Sequence, residues 1–259
     1  MQHQRGRRAG AVGDELRLCL ALNHYPIISS ASNSNHPYPP RLTRSQMAQL
    51  KPMPPLNLAV ANLLPFGLQW QANGSALSRT PPHSSMQLGA MINAAVGSAL
   101  AEMLGGIPVE RPRPTSLLPS KPDCVEVGEV RIVGGVRPQN FDVGYRPDGV
   151  RFALDSKTLN DRVSVGKNYQ NMLNDLATEA TTVHVRFPNA VVAFVVAVPG
   201  PCLVGPTSDA LIARLEGLSG RTAYNEPSHL AEALALIVWN PMNGTIEPDR
   251  PKPSSALRV

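Results

Sequence analysis

With 259 residues, a net charge of +5 and 42% apolar side chains, the chain is long enough for one sizeable domain plus a tail, or for two small domains, and can bury an ordinary core. Its three cysteines, Cys19, Cys124 and Cys202, are odd in number and widely separated, with no CxxC pair, which speaks against a disulfide framework or a zinc ribbon and fits a reducing compartment. No stretch approaches the ~18 apolar residues of a membrane span, so a cytoplasmic protein without a membrane partner is expected.

The charge is unevenly distributed. Residues 1–85 hold eight Lys and Arg against only Asp14 and Glu15, which leaves sixteen basic and seventeen acidic side chains in the remainder. The basic excess therefore belongs to the N-terminal stretch, and a near-neutral remainder offers little of the broad positive field that polyanion binding uses. Many of the 26 prolines also precede residue 123. Residues 29–40 (SSASNSNHPYPP) are a run of turn formers, and the apolar segment 56–70 is broken by Pro65 and Gly67. Composition thus predicts a low-complexity, disordered or loosely attached tail over 1–83, a domain over 84–247, and a short C-terminal tail over 248–259.

From Ser84 the pattern sharpens. Met86, Leu88, Met91, Ile92, Ala95, Val96, Ala99, Leu100 and Met103 recur at three-to-four spacing, which predicts a helix capped by Ser84 or Ser85 and ended by Gly105-Gly106. A proline-rich loop over 110–122 leads to strands over 125–133 and 141–146. A Pro147-Asp148-Gly149 turn then joins the second of these to a strand over 150–157 as a hairpin. Residues 163–182 read as an amphipathic helix with Val165, Tyr169, Met172, Leu173, Leu176 and Ala180 on one face. A further strand is expected to begin at 184–187. The uninterrupted apolar run AVVAFVVAV, 190–198, predicts a strand buried on both faces. A helix over 207–218 follows, and 228–240 is expected to begin as a helix and finish as a strand. His83, His184 and His229 show no paired spacing for a metal or a nucleophile, and read as surface or strand histidines.

The chemistry lies in the hairpin. Asn140-Phe141-Asp142-Val143 enters it and Leu154-Asp155-Ser156-Lys157 leaves it. Hydrolysis of a phosphodiester needs charge stabilisation on the phosphorus oxygens and a nucleophile made from water. Magnesium held by two carboxylates supplies both, and a nearby lysine can orient the water or neutralise the phosphate. A carboxylate on one strand, with a carboxylate and a lysine two residues apart on its neighbour, meets that need because period-two geometry puts the second pair on one face. Asp148, although preceded by proline, sits at the hairpin tip about 23 Å from Asp155 by strand rise. The facing of Asp142 depends on the turn. Pairing Arg146 with Val150 through a Gly149 bulge sends Asp155 to the opposite face, whereas a two- or four-residue connection keeps the two acids together.

Over residues 84–240 the sequence D…DSK, the helices around it and the element order resemble the PD-(D/E)xK nuclease superfamily, which includes many type II restriction endonucleases. The resemblance implies an α/β fold with a restriction-endonuclease-like core, a mixed central sheet flanked by helices. It also implies an endonuclease that hydrolyses DNA, with Asp142, Asp155 and Lys157 as the catalytic set. Magnesium, for which manganese can substitute, would be held by Asp142, Asp155 and the Ser156 carbonyl, and a homodimer would cut both strands of a duplex. Members of the superfamily often add an acid from the first helix. Here Glu102 is the only acid on that helix, and Asn93 stands at the position that looks equivalent. Lys167, Asn168 and Asn171, on the polar side of the second helix with Asn174, are the expected nucleic-acid contacts. The alternative readings are a charged pair at a strand end, and a non-catalytic nucleic-acid-binding or interaction protein that retains the fold.

Overall fold

The protein is described by a computed structural model covering residues 60–79 and 81–246; the expectations for 1–59 and for the C-terminal tail lie outside the described residues. Helix α1 (Val60–Ala72) is followed by α2 (Pro82–Met103), a two-residue strand β1 (Val109–Glu110), β2 (Val125–Val133), β3 (Pro138–Tyr145) and β4 (Phe152–Thr158). Then come α3 (Tyr169–His184), β5 (Val191–Pro199), α4 (Pro206–Glu216) and β6 (Ala233–Trp239). The six strands form one mixed sheet in chain order, antiparallel from β2 to β4 and parallel at β1/β2, β4/β5 and β5/β6.

Strand β5 shows why helices cover both faces. All nine of its residues are buried, and its side chains divide by alternation. Val192, Phe194, Val196 and Val198 join one core with Leu176, Ala180 and Val183 of α3 and Leu211 and Leu215 of α4. Val191, Ala193, Val195 and Ala197 join the other with Leu88, Ile92, Val96 and Leu100 of α2. An apolar run without polar relief suits a strand packed on both sides. Among the described residues no helix is long and apolar enough to cross a membrane.

Five sequence expectations need correction. Residues 60–79, read as part of a tail, pack onto the domain: Leu63 is 2% exposed and Trp70 5%, and the Trp70 indole N–H donates to the Asn160 carbonyl at 2.6 Å. The apolar content of 56–70 outweighed the breakers because both fit: Pro65 lies within α1, and a Cβ on Gly67 would stand 2.0 Å from the Pro241 carbonyl oxygen. Helix α2 starts at Pro82, without a side-chain cap from serine. Residues 184–187 do not open a strand, since His184 closes α3, and residues 228–232, ahead of β6, run through a turn rather than a helix. Finally, His184 is buried. Its Nδ1 meets the Ser228 carbonyl at 2.9 Å and its Nε2 meets Glu232 at 3.1 Å, while Glu232 also accepts from Arg221 at 2.6 Å and from the Val192 N–H at 2.7 Å.

Candidate functional site

The hairpin register fixes the length of the connection between the two acids. Tyr145 pairs with Phe152, Gly144 with Ala153 and Val143 with Leu154, so the connection is the six residues 146–151, closed by the Arg151 N–H on the Tyr145 carbonyl at 2.9 Å. Arg146 therefore does not pair with Val150. A connection of even length has the same parity as a two- or four-residue one, so an unbroken ladder would set Asp142 opposite Asp155. Asp148 stays at the tip, held by Arg151, whose Nε donates to it at 2.6 Å.

The paired ladder stops after Val143 and Leu154, and a bulge explains why. On the other side of β3, Val127 pairs with Val143 and Val130 with Phe141, so Gly128 and Glu129 together face Asp142. Gly128 has φ of 133°, a conformation that favours glycine. The chain of β3 rotates there: Val143 packs in the α2-side core, whereas Phe141 packs in the α3-side core. Asp142 lies at the turning point, where its Oδ2 accepts the Ser156 N–H and the Ser156 hydroxyl, both at 2.9 Å. Because a backbone N–H lies in the plane of its sheet, the Asp142 carboxylate occupies the opening between the two strands.

Along β4 the side chains alternate as expected. Phe152 and Leu154 enter the α2-side core and Ala153 the α3-side core, so Asp155 and Lys157 face α3. There the Lys157 ammonium is ion-paired with Asp155 and donates to Glu179 Oε1 at 3.1 Å. The Gln139 amide donates to the same oxygen at 2.8 Å. Asp155 and Glu179 lie within hydrogen-bonding reach of each other, and both are buried, at 7% and 3% exposed. Burial, and then the Glu179 charge, push the Asp155 carboxyl up to about 9 against the pull of Lys157; the charge of Asp142 adds to the rise. Burial raises Glu179 as well, although Lys157 and the hydrogen bond with Asp155 oppose it. For Lys157, burial works to lower the ammonium, but the two carboxyls outweigh this and hold it above its ordinary value. The site thus concentrates more negative than positive charge and holds a proton among its buried carboxyls.

The remaining expected residues fall elsewhere. Glu102 is exposed at the end of α2 and takes no part. Asn93 is buried, and its Oδ1 has no hydrogen-bond partner. A Cβ on Gly89 would stand 3.6 Å from the Ser156 hydroxyl, and one on Gly97 would meet Val127, so α2 crosses the sheet from β4 to β2 with Asn93 midway, over β3. That is the opposite face from Lys157 and Glu179. Lys167 and Asn168 lie in a π-helical turn (Ser164–Asn168) before α3 and, with Asn171 and Asn174, are exposed; they do not join the carboxyl cluster. Glu179 was missed by sequence reasoning. The signal was an acid at the i+3 position from Leu176 and i+7 from Met172, inside the apolar stripe of an amphipathic helix.

Among the described residues no three His, Cys, Asp or Glu side chains are grouped as a metal-ligand set. Magnesium nonetheless needs only one or two protein carboxylates and keeps several waters. Hard oxygen donors in a negatively charged cluster, with Glu179 Oε2 buried and without a hydrogen-bond partner, suit such an ion chemically. Compared with family models, with curated proteins and with solved structures, the chain matches none.

Proposed function

We propose that this protein is a magnesium-dependent endonuclease that hydrolyses DNA phosphodiester bonds, with the restriction-endonuclease-like core that the D…DSK resemblance implies. The observation that carries the reading is the meeting of Asp155 and Lys157 on one face of the sheet, with the Asp142 carboxylate held at Ser156 between them in the chain.

Asp142 and Asp155 would hold the ion, with the Ser156 carbonyl as a further ligand, and manganese would serve in place of magnesium. When bound, the ion supplies charge neutralisation at the phosphate and a water acidic enough to deprotonate near neutral pH. The protein's own share is positional. The Ser156 N–H and hydroxyl fix one oxygen of Asp142 and leave its charge directed into the strand opening. Lys157 would orient the attacking water or meet the phosphate oxygens as charge builds on them. The exposed row of Lys167, Asn168 and Asn171 would contact the phosphate backbone. Two copies related by a two-fold axis would present one site to each strand of a duplex.

A second reading, a nucleic-acid-binding protein that keeps the fold without cleaving, is favoured by the near-neutral balance of residues 86–259 and by the engagement of Lys157 with two carboxyls. One experiment separates them. Full-length protein is incubated with linear and supercoiled DNA in magnesium, in manganese and in excess EDTA, beside a Lys157→Ala variant. The nuclease reading expects metal-dependent cleavage that EDTA abolishes, and a rate lower by roughly 10²–10⁴-fold in the variant with DNA binding retained. DNA binding with no cleavage in either metal selects the second reading, and cleavage undiminished by EDTA removes the mechanism.

A further inference from the structure

Around Lys157 two buried carboxyls converge on one ammonium. Asp155 and Glu179 both contact the Lys157 Nζ, and Asp142 lies near enough to act on Asp155 through its charge. One positive charge among three carboxyl groups is an incomplete balance in a buried place, where unpaired charge is costly. Glu179 carries the second sign of incompleteness. Its Oε1 takes both the ammonium and the Gln139 amide, whereas Oε2, in a side chain 3% exposed, has no hydrogen-bond partner. A buried carboxylate oxygen that no N–H reaches, beside a second carboxyl with which Glu179 shares a proton, is the arrangement that a small divalent cation relieves, because the ion accepts hard oxygens and brings two charges.

We infer that Glu179, from the helix after the DSK strand rather than from the first helix, is the carboxylate that joins Asp155 in binding the cation, and that Lys157 is a tethered stand-in which the cation displaces. The inference rests on the nuclease reading for the identity of the ion and adds to it a ligand and an exchange. In the resting protein the Lys157 ammonium bridges Asp155 and Glu179. With the ion bound, Asp155 and Glu179 would both hold it as carboxylates, the proton they share passing to solvent, and Lys157, freed from its ion pairs, would offer its charge to a phosphate. Metal loading and lysine activation are then one event. Neither Asn93, on the opposite face of the sheet, nor Glu102, exposed at the helix end, is needed.

The test is binding of Mn²⁺ alone to the full chain, without DNA, followed by calorimetry and by the electron paramagnetic resonance of the free ion. Glu179→Gln keeps the size and a hydrogen-bonding oxygen for Lys157 but removes the charge; it is expected to weaken Mn²⁺ binding on the order of tenfold or more, while Asn93→Ala stays within about twofold. Equal Mn²⁺ affinity in Glu179→Gln and the wild type overturns the inference and leaves the nuclease reading in place. Absence of Mn²⁺ binding by the wild type overturns both. A measurement on the wild type alone guards against a variant that fails to fold: amine acetylation of Lys157, read by mass spectrometry, is expected to rise several-fold when Mn²⁺ saturates the site. Labelling of Lys157 unchanged by Mn²⁺ overturns the exchange.

Discussion

Asp155 is the residue whose chemistry is most altered by its surroundings. Its carboxyl is pushed from 3.8 up to about 9 by burial and by Glu179, so the folded chain holds a proton that the unfolded chain releases. A group whose folded value is raised contributes stability that is full below the unfolded value and lost as pH rises through the folded one. Stability is therefore expected to fall as pH rises from about 4 to about 9, with the proton shared between Asp155 and Glu179 so that the transition belongs to the pair. Asp155→Asn cannot ionise and should flatten that part of the profile. Thermal unfolding in a pH series, wild type against variant, makes the comparison; identical slopes would show that the carboxyl titrates in the fold as it does in water. If Asp155 holds magnesium as proposed, saturating magnesium should restore stability at the alkaline end.

At the scale of elements, the sheet is positioned by buried ion pairs that fasten irregular chain to it. Arg146, at the first position of the hairpin connection, pairs with Glu126 of β2 at 2.6 Å. It also donates to the carbonyls of Leu117 at 3.0 Å, Arg131 at 2.8 Å and Leu118 at 3.2 Å. Glu126 in turn accepts the Ser120 N–H at 3.0 Å. The proline-rich loop is thus fastened to the sheet by one guanidinium and its carboxylate partner, beside the few hydrogen bonds it makes within itself. Removing the arginine leaves a fully buried Glu126 without its charge partner, a loss of ~3–5 kcal/mol. Arg146→Ala is expected to lower the melting temperature and to open 111–122 to limited proteolysis. A protected loop in a variant of unchanged stability would show that the prolines order this segment unaided. Glu232, between His184 and Arg221, plays a like part where α3 meets β5 and β6. Burial works to raise it, but the hydrogen bonds from His184, the Val192 N–H and Arg221 hold it below its ordinary value.

For the molecule as a whole, the helix that composition assigns to a tail closes the α2 side of the sheet. Leu63 lies in that core. Trp70 bonds to Asn160, three residues beyond Lys157, and the Asn160 amide donates to the Ser85 hydroxyl at 2.8 Å. Helix α1 therefore steadies the chain that leaves the site. Trp70→Ala is expected to cost ~3–5 kcal/mol, and a chain beginning at Ser84 to lose much of its cooperative thermal transition. A truncated chain that melts as sharply and as high as the full one would return residues 60–79 to the status of a tail. Beyond this, the deletion separates two roles, since the basic stretch before residue 60 can be removed while α1 is kept.

What the sequence determined by itself is what periodicity and polarity specify locally: α2 with its stop at Gly105-Gly106, strand β2, the buried β5, the hairpin, and the placing of Asp155 and Lys157 on one face. Each follows from a repeat of 3.6 or 2 residues, an unbroken apolar run or a turn, all carried by near neighbours in the chain. The tertiary structure alone decided the facing of Asp142, because that depends on the length of the hairpin connection and on a bulge in β2, a strand that meets Asp142 only across the sheet. It alone decided that α1 belongs to the core, since the partners of Trp70 and Gly67 are distant in the chain. And it alone brought Glu179 to Lys157. A lone acid in an apolar helical stripe is visible in the sequence, but the charge that makes its burial tolerable lies 22 residues away on another element, and only the packing of that helix on the sheet joins the two.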